Sequence, residues 1–345
     1  MLQHAMYRNS IERFLNRDFS NFSTCYLKKL INKTANLQLS TMVHYNCSSP
    51  SSPLIGSARI LYVASCFATI TVSIALQTIF ALTCQKIKGW KSDFAFYLLQ
   101  LMAIFGFLSY IGSLVFYIHG LIRFDSPGLS RVTGSNYLGS WFAFVIANLC
   151  LTAHRLFYTL LPLRSPFILT TTVERVCIAS IVLFYFVFIA ITLSPLASME
   201  FCPAHFFFRY DRTTSLMNRL FNYMIGVVNV TAYTIMFATL FIKGSLTFRR
   251  NSEIRMTAQA ALVSACELAF YLYWSYVPRA ELSWRYALDT YTTLAYYDVL
   301  LLPYIIFNKT VRTEMKNILC KQKSRTSTVA SFDRSRNTLR QSQGV

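Results

Sequence analysis

Seven apolar stretches, each close to the length of a membrane-crossing helix, occupy most of this 345-residue chain. They are Ile60–Cys84, Phe94–Ile118, Tyr137–Ala153, Val176–Ala197, Leu220–Ile242, Thr257–Val277 and Tyr286–Phe307. A helix rises about 1.5 Å per residue, so roughly 20 apolar residues cross a hydrocarbon core of about 30 Å. Lipid offers the backbone no hydrogen bonds, so each run must satisfy its own amides and carbonyls as a helix. The pattern predicts an all-α membrane protein built as a seven-transmembrane helix bundle, with the lipid bilayer as its surroundings.

Charge agrees with this. Charged residues are 14% of the chain, where a soluble protein carries about 25%. The net charge of +19 raises the question of nucleic acid, but no zinc-finger spacing, RNA-binding motif or basic helix accompanies it. The first 20 residues include Arg8, Glu12, Arg13, Arg17 and Asp18, with no apolar core of a signal peptide. The first run is therefore expected to act as its own insertion signal, after a polar tail spanning 1–58.

Lys and Arg in the loops set the orientation. With the N-terminus outside, nineteen basic residues fall on the cytoplasmic side and seven on the outer side: Arg123, Arg131, Arg209, Arg212, Arg219, Arg279 and Arg285. The tail carries seven more, counting Arg59. Its sequons at Asn21, Asn32 and Asn46 are glycosylation acceptors on the lumenal side, so the tail reads as an extracellular, glycosylated segment. The sequon at Asn229 falls within the fifth run and that at Asn308 at the cytoplasmic end, where both are silent.

Of nine cysteines, Cys66, Cys84, Cys150, Cys177 and Cys266 read as small packing residues. Cys25, Cys47 and Cys202 face the oxidising side, where Cys47 with Cys202 or Cys25 with Cys47 would form a disulfide. Cys320, between Lys316 and Lys321, is either a palmitoylation site or a free thiol.

Two carboxylates, Glu267 and Asp298, lie deep in the last two runs at matched depths. An ionised carboxylate at mid-membrane costs roughly 2.5–3.5 kcal/mol on insertion scales, so such groups face the bundle interior. Each reads as a polar core switch or ion site, or as a protonated, hydrogen-bonded packing residue. Glu267 shares a helical face with Phe270, Tyr271 and Trp274, and Asp298 with Tyr291 and Leu294. On the third run, Trp141, Asn148, Thr152 and Arg155 share a face, with Trp141 outermost and Arg155 at the cytoplasmic mouth. Trp141, Asn148, Tyr273, Trp274 and Tyr291 are the candidate pocket residues; packing or interfacial roles are the alternative.

Ala153-His154-Arg155 followed by Pro162-Leu163 resembles the arginine motif of rhodopsin-like G-protein-coupled receptors. The segment from Leu302-Pro303-Tyr304 to Val311-Arg312 is similar to their helix 7 proline motif, here centred on Pro303, and the start of an amphipathic eighth helix. Arg249–Arg255, Arg155–Pro166 and Thr257–Trp274 resemble the nematode serpentine chemoreceptors, in the X or XA classes. The pattern departs from the wider family in places: His154 precedes the arginine, Leu302 precedes the proline, and the second run has no acid. The resemblance implies a bundle at 59–308, an amphipathic helix at 309–322 and a cytoplasmic disordered tail at 323–345.

It also implies a chemosensory receptor in the plasma membrane or a sensory cilium. Such a receptor binds a small external molecule and activates a heterotrimeric G protein by helix 6 movement. Arg155, Glu253 and Arg255 would contact the G protein, with Glu253 pairing with Arg155 at rest, and an arrestin is a further partner. Serines and threonines of the tail, from Ser324 to Ser335, would take phosphate in desensitisation. The rival readings are a seven-helix ligand-gated channel of inverted topology and a membrane transporter. An enzyme is not expected: the five histidines are scattered, and no metal set, cofactor motif or phosphate loop is present.

Overall fold

A computed structural model describes residues 56–87, 94–122, 126–161, 169–194, 197, 199–202, 206–242, 251–276 and 283–320. Asn21, Asn32, Asn46, Cys25, Cys47 and the tail beyond Cys320 lie outside them, as do the side chains of Glu253 and Arg255.

Each of the seven apolar runs is helical. The helices are α1 (Ser57–Lys86), α2 (Phe94–Ile122), α3 (Pro127–Leu160) and α4 (Thr171–Leu193). Helix α5 runs from Arg212–Tyr223 through a π-helical turn, Met224–Asn229, into Val230–Ile242. Helices α6 (Asn251–Tyr276) and α7 (Ser283–Phe307) follow, and residues 309–320 form a last helix, α8. Five of these are long and apolar enough to cross a membrane: α1, α2, most of α3, α4 and Thr213–Thr239 of α5. In α6 the stretch Ala261–Trp274 is apolar but shorter. The chain is an all-α membrane protein.

The helix ends correct the expected boundaries. Helix α3 begins ten residues before Tyr137, because its polar first turns are satisfied locally. Thr133 and Ser135 hydroxyls donate to carbonyls one turn back, and Asn136 donates to the Leu108 carbonyl of α2 at 3.0 Å. Arg131 is no loop residue. Its guanidinium donates to the Thr192 carbonyl at 3.3 Å and to that of Ser194, covering the negative end of α4. Helix α4 stops at Leu193 rather than Ala197, since Pro195 excludes the helical conformation from the residue before it. Arg212 and Arg219 belong to α5, and Arg285 to α7. Caps support the starts: Thr170 accepts from the Val173 amide and Asp211 from the Thr214 amide at 2.8 Å.

Helix α3 is the centre of the packing, touching α2, α4 and α5. Phe142, Ala143, Phe144, Val145, Ala147 and Leu151 are all fully buried along it. Helix α7 packs against α6, α1 and α2. Helix α4 leans mainly on α3, and Leu183, Phe186 and Val187 on its other side are exposed, as a lipid-facing surface requires.

A small antiparallel hairpin, unexpected in an all-α chain, joins α4 to α5. Strand β1 (Met199–Cys202) pairs with β2 (Phe207–Tyr210) in the register Met199 to Tyr210 and Cys202 to Phe207. The Phe201 amide donates to the Ser130 hydroxyl of α3 at 3.0 Å, which anchors the hairpin. Its turn residue Phe206 holds φ at 56°, a left-handed conformation that side chains rarely take. The Phe206 ring lies buried against Tyr62 and Tyr117, with the Arg59 guanidinium 4.6 Å above it. Arg59, expected in the tail, is instead a buried residue of α1 that donates to the Gly120 carbonyl.

Candidate functional site

Three layers stack along the inner faces of α3, α5, α6 and α7. The outermost is aromatic. Trp141 of α3 meets Trp274 of α6 at 5.3 Å and Tyr296 of α7 at 4.8 Å between ring centroids. Phe270 closes the group, 5.2 Å from Tyr296 and 5.5 Å from Trp274. Most of these contacts are edge-to-face or tilted, the favoured arrangements for aromatic rings. Two polar atoms inside this layer are buried without a hydrogen-bond partner: the Trp141 indole nitrogen and the Tyr296 hydroxyl.

The middle layer is polar. Asn148 of α3 donates its amide nitrogen to Glu267 Oε1 of α6, and Asn229 of α5 donates to the same oxygen at 2.9 Å. Glu267 and Asn229 are fully buried and Asn148 is 1% exposed, so this node sits wholly inside protein. The π-turn supplies the register. Its extra residue turns Asn229 toward α6, and Gly226 within it faces the Tyr271 ring so closely that an added Cβ would overlap it.

The third layer ends at Arg155 and Tyr304. Thr152 lies 3.3 Å from the Tyr233 hydroxyl of α5 and donates to the Asn148 carbonyl at 3.0 Å. Arg155 is half-buried, with its guanidinium 4.9 Å from the Tyr304 ring. Tyr304 follows Pro303, which lies inside α7 and cannot donate to the carbonyl four residues back. The expected partner of Arg155, Glu253, lies outside the described side chains, as does Arg255; their backbones belong to the first turns of α6.

Glu267 and Asp298 do not form one site. Asp298 accepts from the Ser73 hydroxyl at 2.5 Å and from the Gln77 amide at 2.9 Å, both on α1. Gly106 of α2 makes room for that glutamine, which would lie 3.3 Å from an added Cβ. Tyr297, the neighbour of Asp298, accepts from the Ser109 hydroxyl at 2.9 Å and packs on Tyr110. Tyr296 and Tyr297 thus share Trp141 and Phe144 of α3 but differ in their other neighbours: Tyr296 reaches Phe270 and Trp274 of α6, and Tyr297 reaches Ser109 and Tyr110 of α2.

Of the expected pocket residues, Trp141 and Trp274 come together. Asn148 lies one layer deeper. Tyr273 donates to Asp289 at 2.6 Å, linking α6 and α7, and Tyr291 is hydrogen-bonded to Ser65 of α1. Tyr296 and Asn229 were missed. The signal for Asn229 was available: it is one of few amides in a long apolar run, and lipid tolerates it no better than it tolerates Asn148.

At the end of the chain, Asn308 caps α8 by accepting from the Thr310 and Val311 amides at 3.0 and 3.3 Å. Val311 is buried, while Lys309, Arg312, Lys316 and Cys320 are exposed, so α8 is amphipathic and Cys320, outside any disulfide, is accessible. Cys202 is disulfide-bonded; Cys66, Cys84, Cys150, Cys177 and Cys266 are free.

No protein-family model matches the sequence, and no curated protein is significantly similar to it.

Proposed function

We propose that this chain is a chemosensory receptor with seven transmembrane helices and its N-terminus outside the plasma membrane. It binds a small external molecule and activates a heterotrimeric G protein. One observation carries the reading: the inner faces of α3, α5, α6 and α7 hold in succession the Trp141–Trp274–Tyr296 aromatic group, the hydrogen bonds of Asn148 and Asn229 to Glu267, and the Thr152–Tyr233 and Arg155–Tyr304 contacts. Helices α6 and α7 serve as the sixth and seventh spans, their polar residues turned into the bundle where lipid does not meet them. A disulfide at Cys202 supports an outer position for the hairpin, because such bonds persist in oxidising compartments.

The ligand would enter the aromatic layer. The unpartnered Trp141 nitrogen and Tyr296 hydroxyl favour a largely apolar molecule with one hydrogen-bond acceptor. Binding would shift a pre-existing equilibrium between two arrangements of α6 against α3 and α7, exposing Arg155 to the G protein.

The test needs no ligand. Membranes holding the wild-type chain, mixed with purified G proteins of each class, should speed GTPγS uptake above membranes holding Arg155→Ala at equal surface expression. Equal uptake for both proteins with every class overturns the proposal.

A further inference from the structure

Three oxygen atoms at the centre of the bundle are buried with no hydrogen-bond donor: Glu267 Oε2, Asn148 Oδ1 and Asn229 Oδ1. The donors of the same residues are already engaged, since both amide nitrogens point to Glu267 Oε1. A buried acceptor left unmet costs about 1–3 kcal/mol, and more if it is charged. Folded proteins tolerate few of these, and each one asks for an explanation such as a water or an ion. Asp298 makes the contrast plain: each of its two oxygens has a protein donor.

A water donates two hydrogen bonds, so it leaves one of the three oxygens unmet and the carboxylate unbalanced; a positive group serves the node better. A proton on Glu267 Oε2 would satisfy one amide oxygen and strand the other. A divalent ion would leave a net charge in the membrane interior, which is as costly there as the carboxylate itself. A monovalent cation balances the single carboxylate and takes all three oxygens, the ligand type that hard cations prefer.

We propose that Glu267, Asn148 and Asn229 form a binding site for a monovalent alkali cation. One oxygen each from α6, α3 and α5 would make the ion a cross-link between three helices. It would act at the level that separates the aromatic layer from the cytoplasmic half. The site stands whether or not the chain signals through a G protein.

Full-length protein purified in lipid nanodiscs, without ligand or G protein, tests it. Its melting temperature is followed as NaCl or KCl replaces N-methyl-D-glucamine chloride at constant ionic strength and pH. The wild type should show a saturable rise with one of the two alkali ions. The rise should vanish in Glu267→Gln, and its midpoint concentration should increase at least tenfold in Asn229→Ala. Asn229→Ala keeps the carboxylate and removes one oxygen, so it decides the matter if Glu267→Gln fails to fold. Melting that ignores both ions, or that rises equally in wild type and Asn229→Ala, overturns the site. So does melting that follows pH instead of alkali ion and loses that response in Glu267→Gln, which would put a proton on the carboxylate.

Discussion

The Asn229 amide nitrogen lies 2.9 Å from Glu267 Oε1, and a π-helical turn in α5 brings it there. A regular helix turns by about 100° per residue, so one inserted residue redirects the side chains that follow. Deleting Val228 should restore the regular helix and carry Asn229 off the node. We expect it to destabilise the protein about as much as Asn229→Leu, by roughly 1–3 kcal/mol, because both strip a donor from a buried carboxylate. Combining the two should add little, which thermal melting in detergent will show.

Gly226 explains why that turn can approach α6 at all. Gly226→Ala should push Tyr271 away and lower stability by about 1–3 kcal/mol, the usual range for overpacking a filled core. In a Tyr271→Ala background the same change should be nearly neutral. A double-mutant cycle read by melting temperature checks this.

The β1–β2 hairpin offers a parallel case. A Cβ at Gly120 would overlap the Phe206 ring. Gly120→Ala should unseat that ring and make the hairpin more susceptible to limited proteolysis. Phe206→Ala should raise susceptibility similarly, and Gly120→Ala should then cause no further increase.

How much of this was readable beforehand differs by layer. Seven helices were legible as apolar runs, with their ends misplaced, and five of them are long and apolar enough to cross a membrane. Thr133, Ser135 and Arg131 look like loop residues in the sequence, yet each finds a backbone carbonyl in the structure. The hairpin was hidden because its strands are four residues long and Pro203 and His205 fall between them. Trp141, Asn148 and Arg155 were legible as a stripe, since helical spacing alone aligns them. Asn229 was marked only as an amide in an apolar run, and its direction was not legible, because a π-turn changes the helical spacing. Tyr296 and Tyr297 were passed over for the same kind of reason: adjacent residues face different ways, and rotation is set by packing.

Arg155 and Tyr304 form the inner contact, worth about 0.5–1 kcal/mol for a cation over a ring at a partly exposed site. On the receptor reading, Tyr304→Leu should release the arginine and raise ligand-free nucleotide exchange by about two- to fivefold, the same energy expressed as a population shift. Unchanged exchange, at equal surface expression, would remove Tyr304 from the resting contact.

Trp141→Phe keeps most of the ring packing and removes a buried nitrogen that has no partner. Stability should be unchanged or slightly higher, since an unmet donor disappears. If the aromatic layer is where the ligand sits, potency should fall for agonists with an acceptor group and stay the same for purely apolar ones. Dose–response curves on the two proteins separate these outcomes.

Tyr296 and Tyr297 are consecutive residues that both touch Trp141, but Tyr296 packs on Trp274 and Phe270 of α6 while the Tyr297 hydroxyl accepts from Ser109 of α2. One backbone carries both, so neither ring can be reoriented by rotating α7 without reorienting the other. Any twist that improves the seat beside Trp141 disturbs the seat beside Ser109 and Tyr110. The helix therefore behaves as a balance with two pans, and substitutions on α2, which does not itself carry the aromatic layer, can tilt it.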